Sequence, residues 1–204
     1  MILKQIEVKS SLIDEFTNCY IIQDENTKEA MCIDPGGDFE KIQNMLNIME
    51  AKLKYIYLTH SHLDHIEMAN VLKEKCGGEI LISRKGAENV NNSEINLAKL
   101  INTNIKIDVD SRVDDKDILH VGNIEFKVMY TPGHTNDGTC LYCENEKLVF
   151  TGDTLMYMWY GRCDFPTGNQ KELKKSLKKL FLLPDDTFVY PGHGLATTIK
   201  DEER

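Results

Sequence analysis

The sequence predicts an α/β protein in which two sheets pack face to face with helices on the outside. Three observations lead there. Short runs of apolar, β-branched and aromatic residues recur in both halves of the chain, bounded by Gly, Pro, Asn and Asp. Other stretches place apolar residues at i, i+3, i+4 and i+7, the spacing of amphipathic helices. The residues suited to chemistry follow strands, where open α/β sheets carry their sites. There is no short-period repeat, low-complexity segment or linker, so residues 1–204 read as one domain around one sizeable core.

Residues 1–8 alternate as a first strand. Residues 18–23 and 30–33 read as strands joined by the turn Glu25-Asn26-Thr27-Lys28. Asp34-Pro35-Gly36-Gly37 ends the second, and Asp38 can cap a helix whose face is Ile42, Met45, Leu46 and Met49. Residues 53–58 form a buried strand, and Ile66 opens a helix with Met68, Val71, Leu72 and Cys76 near one face. A further strand is expected near residues 79–83. Residues 84–104 are polar and asparagine-rich, an excursion over the surface and a candidate lid, with one short helix expected around 93–101. Strands resume at 118–121 and 124–130 around Gly122-Asn123, then at 138–142 and 147–150. The basic run 171–179 has helical spacing, with Leu173, Leu177, Leu180 and Phe181 as its apolar face, so its lysines read as a solvated surface. Residues 187–190 supply the last strand.

Composition narrows the function. Hydrophobic content of 41% and charged content of 28% are those of a soluble globular protein. A net charge of −9 argues against a nucleic-acid partner. The six cysteines lack the spacing of a disulfide scaffold, and residues 1–8 carry no signal-peptide pattern. No apolar run approaches a membrane span, so no membrane partner is expected and the expected location is cytoplasmic. Nothing in the sequence sets an oligomeric state. Cys140-Leu141-Tyr142-Cys143 lies in a strand without a second cysteine pair and reads as ordinary strand residues. His120 matches no motif and reads as an exposed strand histidine.

The chemistry concentrates in Thr59-His60-Ser61-His62-Leu63-Asp64-His65. Ligands at i and i+2 can grip one ion, while Asp64 and His65 can diverge toward a second. With six histidines in 204 residues, such a cluster is rare by chance. This is a metal site.

His-x-His-x-Asp-His after a hydrophobic strand resembles the signature of the metallo-β-lactamase superfamily of metallohydrolases. Its later elements have counterparts in Thr131-Pro132-Gly133-His134-Thr135, Thr151-Gly152-Asp153-Thr154 and Tyr190-Pro191-Gly192-His193-Gly194. Gly161-Arg162-Cys163-Asp164-Phe165-Pro166 is similar to the glyoxalase II-like (hydroxyacylglutathione hydrolase-like) branch. The resemblance implies a four-layer αββα sandwich with the site at one edge. It implies that His60, His62 and His134 hold one ion, that Asp64, His65 and His193 hold another, and that Asp153 bridges them. Asp64 and Asp153 would also be the catalytic carboxylates. These donors fit two divalent ions, zinc first, with iron or manganese also suited. The implied reaction is attack of a metal-activated hydroxide on the carbonyl of a small thioester, whose thiolate leaves without a general acid.

Neighbouring chemistries resemble the same pattern. Zinc β-lactamases carry cysteine where Asp153 stands, and diiron oxygen reductases carry glutamate where His62 stands. A persulfide dioxygenase would use one iron on His62, His134 and Asp153, and a lactonase would use both ions on a cyclic ester. Two departures shape the substrate expectation. Glyoxalase II proteins add a C-terminal helical region that helps hold glutathione, and residues 197–204 are too few to replace it. A weak grip on glutathione follows, with thioesters of different thiols reacting within about tenfold of one another. Leu155, Met156, Tyr157, Met158, Trp159 and Tyr160 are bulky, either as core packing or as an apolar wall beside the metals. Arg162 and Asp164 read as a pair that ties their loop down.

Overall fold

A computed structural model of the chain describes residues 1–203. The first sheet runs β1 (Ile2–Lys9), β2 (Phe16–Gln23), β3 (Glu29–Ile33), β4 (Lys52–Leu58), β5 (Glu79–Ser83) and β6 (Ser111–Val113), in spatial as well as chain order. β1 to β3 are antiparallel and β3 to β6 parallel. Parallel neighbours require crossovers. These carry α1 (Phe39–Ile48), α2 (Leu63–Ile66), α3 (Ala69–Cys76), α4 (Arg84–Asn89) and a 3-10 turn at Ala98–Ile101.

In the second sheet β7 (Ile118–Val121), β8 (Ile124–Tyr130), β9 (Thr139–Cys143) and β10 (Leu148–Gly152) form an antiparallel meander. A small hairpin, β11 (Leu155–Met156) and β12 (Trp159–Tyr160), then leads to α5 (Gln170–Leu180). β13 (Phe188–Pro191) pairs parallel with β10, and β14 (Thr197–Thr198) and α6 (Ile199–Glu202) follow.

The period of two along each strand builds the layers. Cys19 and Ile21 of β2 face outward into a cluster with Ile42, Leu46 and Leu72 of the helices. Tyr20 and Ile22 face inward, where they meet Phe126, Leu141 and Phe150 of the second sheet. On the far face of that sheet, Cys140, Tyr142 and Val149 pack against Leu180. The central strands of both sheets, such as β2, β3, β5, β9 and β10, are therefore buried on both faces and read as nearly continuous apolar runs, whereas β1, β7 and β8 alternate buried and exposed residues. The result is the expected αββα sandwich. Cys140 and Cys143 fall on opposite faces of β9, so they cannot share an ion.

Several expectations are corrected. The helix expected from Ile66 begins at Leu63 and breaks at Met68, whose N–H donates to the Pro35 carbonyl at 2.9 Å. Ala69 and Leu72 form its buried face, while Val71 is exposed. Asp38 sits at the start of α1 with φ 41, but its carboxylate accepts from the Lys9 N–H at 3.0 Å and pairs with Lys41 instead of capping. The excursion holds α4, whose cap is Ser83 Oγ accepting from the Gly86 N–H at 3.0 Å. Only the 3-10 turn falls inside the helix expected at 93–101. The short edge strand β6 was not foreseen at all. Of residues 155–160, Leu155 alone is buried, so core packing does not account for the bulky run. Among the described residues, no helix is long and apolar enough to cross a membrane.

Candidate metal centre

The loop after β4 is held from both sheets. Thr59 donates its N–H and its hydroxyl to the two Asp34 oxygens at 2.8 and 2.7 Å. Its carbonyl accepts from the Thr139 N–H of the second sheet at 2.9 Å. His62 then occupies the position before α2, and Asp64 and His65 lie within that single turn. The helix turn separates the histidines before it from the pair inside it.

The two Pro-Gly-His segments need their glycines. Gly133 has φ 145, and a Cβ there would lie 2.3 Å from the Leu173 backbone. A Cβ on Gly192 would lie 2.4 Å from Asp153 Oδ1 and 2.6 Å from His65 Cε1. Only a residue without a side chain lets β13 pass this close beneath the site.

The structure brings all seven expected residues together. His62 Nδ1 lies 3.1 Å from His60 Nε2 and 3.0 Å from His134 Nε2. His193 Nε2 lies 3.2 Å from Asp64 Oδ2, and His65 Nε2 lies 3.5 Å from the same oxygen. Asp153 stands between the groups, with one oxygen 3.4 Å from His134 Nε2 and the other 3.4 Å from His65 Nε2. Donor atoms converge within 4.8 Å in the sets His60/His62/His134, His60/His65/Asp153 and Asp64/His65/His193. His120 stays outside, exposed on β7.

The far nitrogens fix the rings. His65 Nδ1 donates to Asp34 at 2.9 Å, His134 Nδ1 to the Arg162 carbonyl at 2.8 Å, and His193 Nδ1 to the Phe16 carbonyl at 2.7 Å. His60 Nδ1 lies 3.1 Å from Thr59 Oγ1. Each of these contacts turns Nε2 toward the cluster. There His65 Nε2 and Asp153 Oδ1 are buried without a hydrogen-bond partner, which buried polar atoms seldom tolerate. Two nitrogens on one tetrahedral ion stand about 3.3 Å apart, close to the spacings within the first set. The residues fit divalent ions. Sequence reading missed Asp34, taking it only as a strand breaker; its place at the end of the strand beside β4 was the available signal.

The two sides of the cluster differ in charge. Burial lowers the imidazole of His60 well below its usual value and that of His62 to about 3, leaving both neutral. Burial alone would also lower His65 and His193, yet Asp64 and Asp153 raise them to about 9 and about 12. Both carboxyls are in turn held below the ordinary carboxylate range. Burial is the largest single influence and opposes that shift, but His65 and His193 together outweigh it at Asp64, as do His193, His65 and His134 together at Asp153.

The cluster opens into a cleft of about 510 Å³. Leu97, Leu100 and Ile101 of the excursion form part of its wall, with Met156 and Trp159 of the hairpin. Arg162 forks onto Asp164 at 2.7 and 2.6 Å and lies 4.0 Å over the Phe165 ring.

The chain matches the metallo-beta-lactamase superfamily over residues 12–193. Hydroxyacylglutathione hydrolase GloC of Haemophilus influenzae is 36% identical over 195 residues, which cover 92% of this chain and 90% of that protein. The B3 metallo-beta-lactamase BLEG-1 superposes with a TM-score of 0.89 at 29% identity, covering 98% of this chain and 96% of its own. TTHA1623 in a di-iron-bound form superposes at 0.85 with 27% identity, over 98% and 97%. By its sequence and by its two-sheet architecture, the chain belongs to the metallo-β-lactamase superfamily of metallohydrolases.

Proposed function

We propose that this metallohydrolase cleaves small thioesters at a centre of two divalent ions. One observation carries the reading. A second donor set, Asp64, His65 and His193, stands complete beside His60, His62 and His134, with Asp153 between them. Zinc fits these imidazole and carboxylate donors best, and iron or manganese would also be accepted. Ions bound there supply Lewis acidity toward the carbonyl and acidify water within the site.

The chain's own residues do the rest. Neutral His60 and His62 offer lone pairs, and the contacts on the far nitrogens hold the rings in place. Asp64 and Asp153, kept ionised, would hold the ions and orient the attacking water between them. The described residues lining the cleft include no lysine, cysteine or tyrosine to protonate a leaving group. A thiolate, stable at neutral pH, needs none. An alkoxide or amide would.

The test is a substrate panel on metal-replete protein: S-lactoylglutathione, coenzyme A and alkyl thioesters, lactones and a β-lactam. Thioester turnover with close to two metal equivalents per chain is expected. Activity confined to lactones or β-lactams would overturn the reading. One firm equivalent of iron, with oxygen consumed on glutathione persulfide, would replace it with a dioxygenase on His62, His134 and Asp153.

A further inference from the structure

The cleft has a wall and a rim of unlike character. Its wall includes Leu97, Leu100, Met156, Trp159 and Phe165, of which Leu100 is 72% and Trp159 is 71% exposed. Large apolar side chains left open to water beside a site mark a surface that awaits an apolar ligand. These side chains do not hang loose. The hairpin is anchored by Leu155, whose carbonyl accepts from Thr151 Oγ1 at 2.7 Å, and by the Met158 N–H donating to Glu202 at 2.8 Å. Across the mouth, the loop between β1 and β2 is strapped to Glu67, which accepts from the Ser10 hydroxyl at 2.5 Å and from the Ser11 N–H and hydroxyl.

The rim is short of positive charge. Arg162 is the single arginine or lysine among the described residues lining the cleft, and Asp164 occupies its fork. Asp14 on the opposite side pairs with Lys9 at 2.7 Å. Glu15 also lines the mouth, and no salt bridge joins it to a cation among the described residues. An anionic group entering here meets apolar surface and a carboxylate, and the one guanidinium beside it is already forked onto Asp164.

We propose that the site selects thioesters with an apolar body and an uncharged or cationic thiol part, and discriminates against anionic thiols such as glutathione. This rests on the thioester reading above. The wall supplies binding by burial, which grows with each methylene covered. The rim supplies discrimination by charge, modest in water and weakened by salt.

The experiment uses butyryl thioesters of N-acetylcysteamine, thiocholine, glutathione and coenzyme A on metal-loaded protein. The uncharged and cationic esters should show KM values about fivefold to tenfold below the glutathione ester, with the gap narrowing at high salt. E15K should lower KM for the glutathione ester by more than it changes KM for the N-acetylcysteamine ester, so that the ratio between the two narrows. Trp159, the one tryptophan in the chain, supplies a readout independent of turnover. Uncharged alkyl thioethers should blue-shift its emission, and S-butylglutathione should do so only at higher concentration. A preference for glutathione over N-acetylcysteamine would overturn the proposal while the thioester reading stood. If no thioester reacts, the reaction assigned above fails, and the emission titration still decides between an apolar and an anionic ligand.

Discussion

Asp34 and His65 lie 31 positions apart in the chain, yet Asp34 Oδ2 accepts from His65 Nδ1 at 2.9 Å while the same carboxylate holds Thr59. One acid thus fixes both the start of the donor loop and the ring at its end. Replacing such a partner ordinarily costs about 10–100-fold in metal affinity. Asp34→Asn should show a loss of that order, concentrated in one of two metal equivalents, in competition with a chromophoric chelator. Unchanged affinity for both would show that the contact does not orient a ligand.

Asp153 faces both donor sets, so its removal should be felt by both. Asp153→Ala should lower bound metal from near two equivalents to below one and abolish turnover. His120→Ala, on the exposed face of β7, should change neither. Elemental analysis after dialysis decides it. Two retained equivalents in Asp153→Ala would refute the assignment of Asp153 as the shared ligand.

Gly192→Ala places a methyl where 2.4 Å separates it from Asp153 Oδ1 and 2.6 Å from His65. Overpacking of this kind costs roughly 1–3 kcal/mol, and here the strain falls on the donors. Thermal unfolding should shift down, and metal content should drop with it. Gly194→Ala is the control for space, since nothing lies within 4 Å of its Cβ position, although its φ of 78 carries some strain of its own.

Metal uptake should release protons. In the metal-free protein Asp64 and Asp153 raise His65 to about 9 and His193 to about 12, so both rings are protonated at neutral pH. Binding an ion requires their neutral forms. Loading near pH 7 should therefore liberate about two protons per chain, and apparent affinity should climb as pH rises from 6.5 toward 9. The sign for the metal-free fold is opposite. These raised values stabilise it fully below the unfolded histidine value of 6.5, and that contribution fades as pH climbs through the folded values. Proton release in weak buffer and chelator competition across pH test both. An affinity flat over that range would contradict the assignment of these two rings as ligands.

The strands were legible because burial on both faces leaves nearly unbroken apolar runs, as at residues 56–58 and 80–82. The seven residues that converge in the cluster were legible because short local motifs carry them. What escaped depends on partners far along the chain. Asp34 resembles any strand-ending acid until His65 folds against it. The break at Met68 is set by the Pro35 carbonyl, which no periodicity announces. Asp38 has the right identity for a helix cap, but Lys9 and Lys41 compete for its carboxylate. α4 is a six-residue helix with little apolar pattern, identified by the cap at Ser83. The wall of the cleft was half visible: the bulky run at 155–160 could be read, but not that it projects into solvent.

The first hairpin closes on the last donor loop. Asn18 of β2 donates its side-chain amide to the Pro191 and Gly194 carbonyls at 3.1 and 2.8 Å, and the Phe16 carbonyl receives His193, 177 residues away. Such distant pairings are slow to form, because loop-closure entropy must be met before the contacts reward it. A nascent chain that ends just short of β13 has every strand of the first sheet but lacks His193. On the two-ion centre proposed above, the order of synthesis would place full metal loading last in maturation, and a fully loaded centre would report a chain whose two ends have already met.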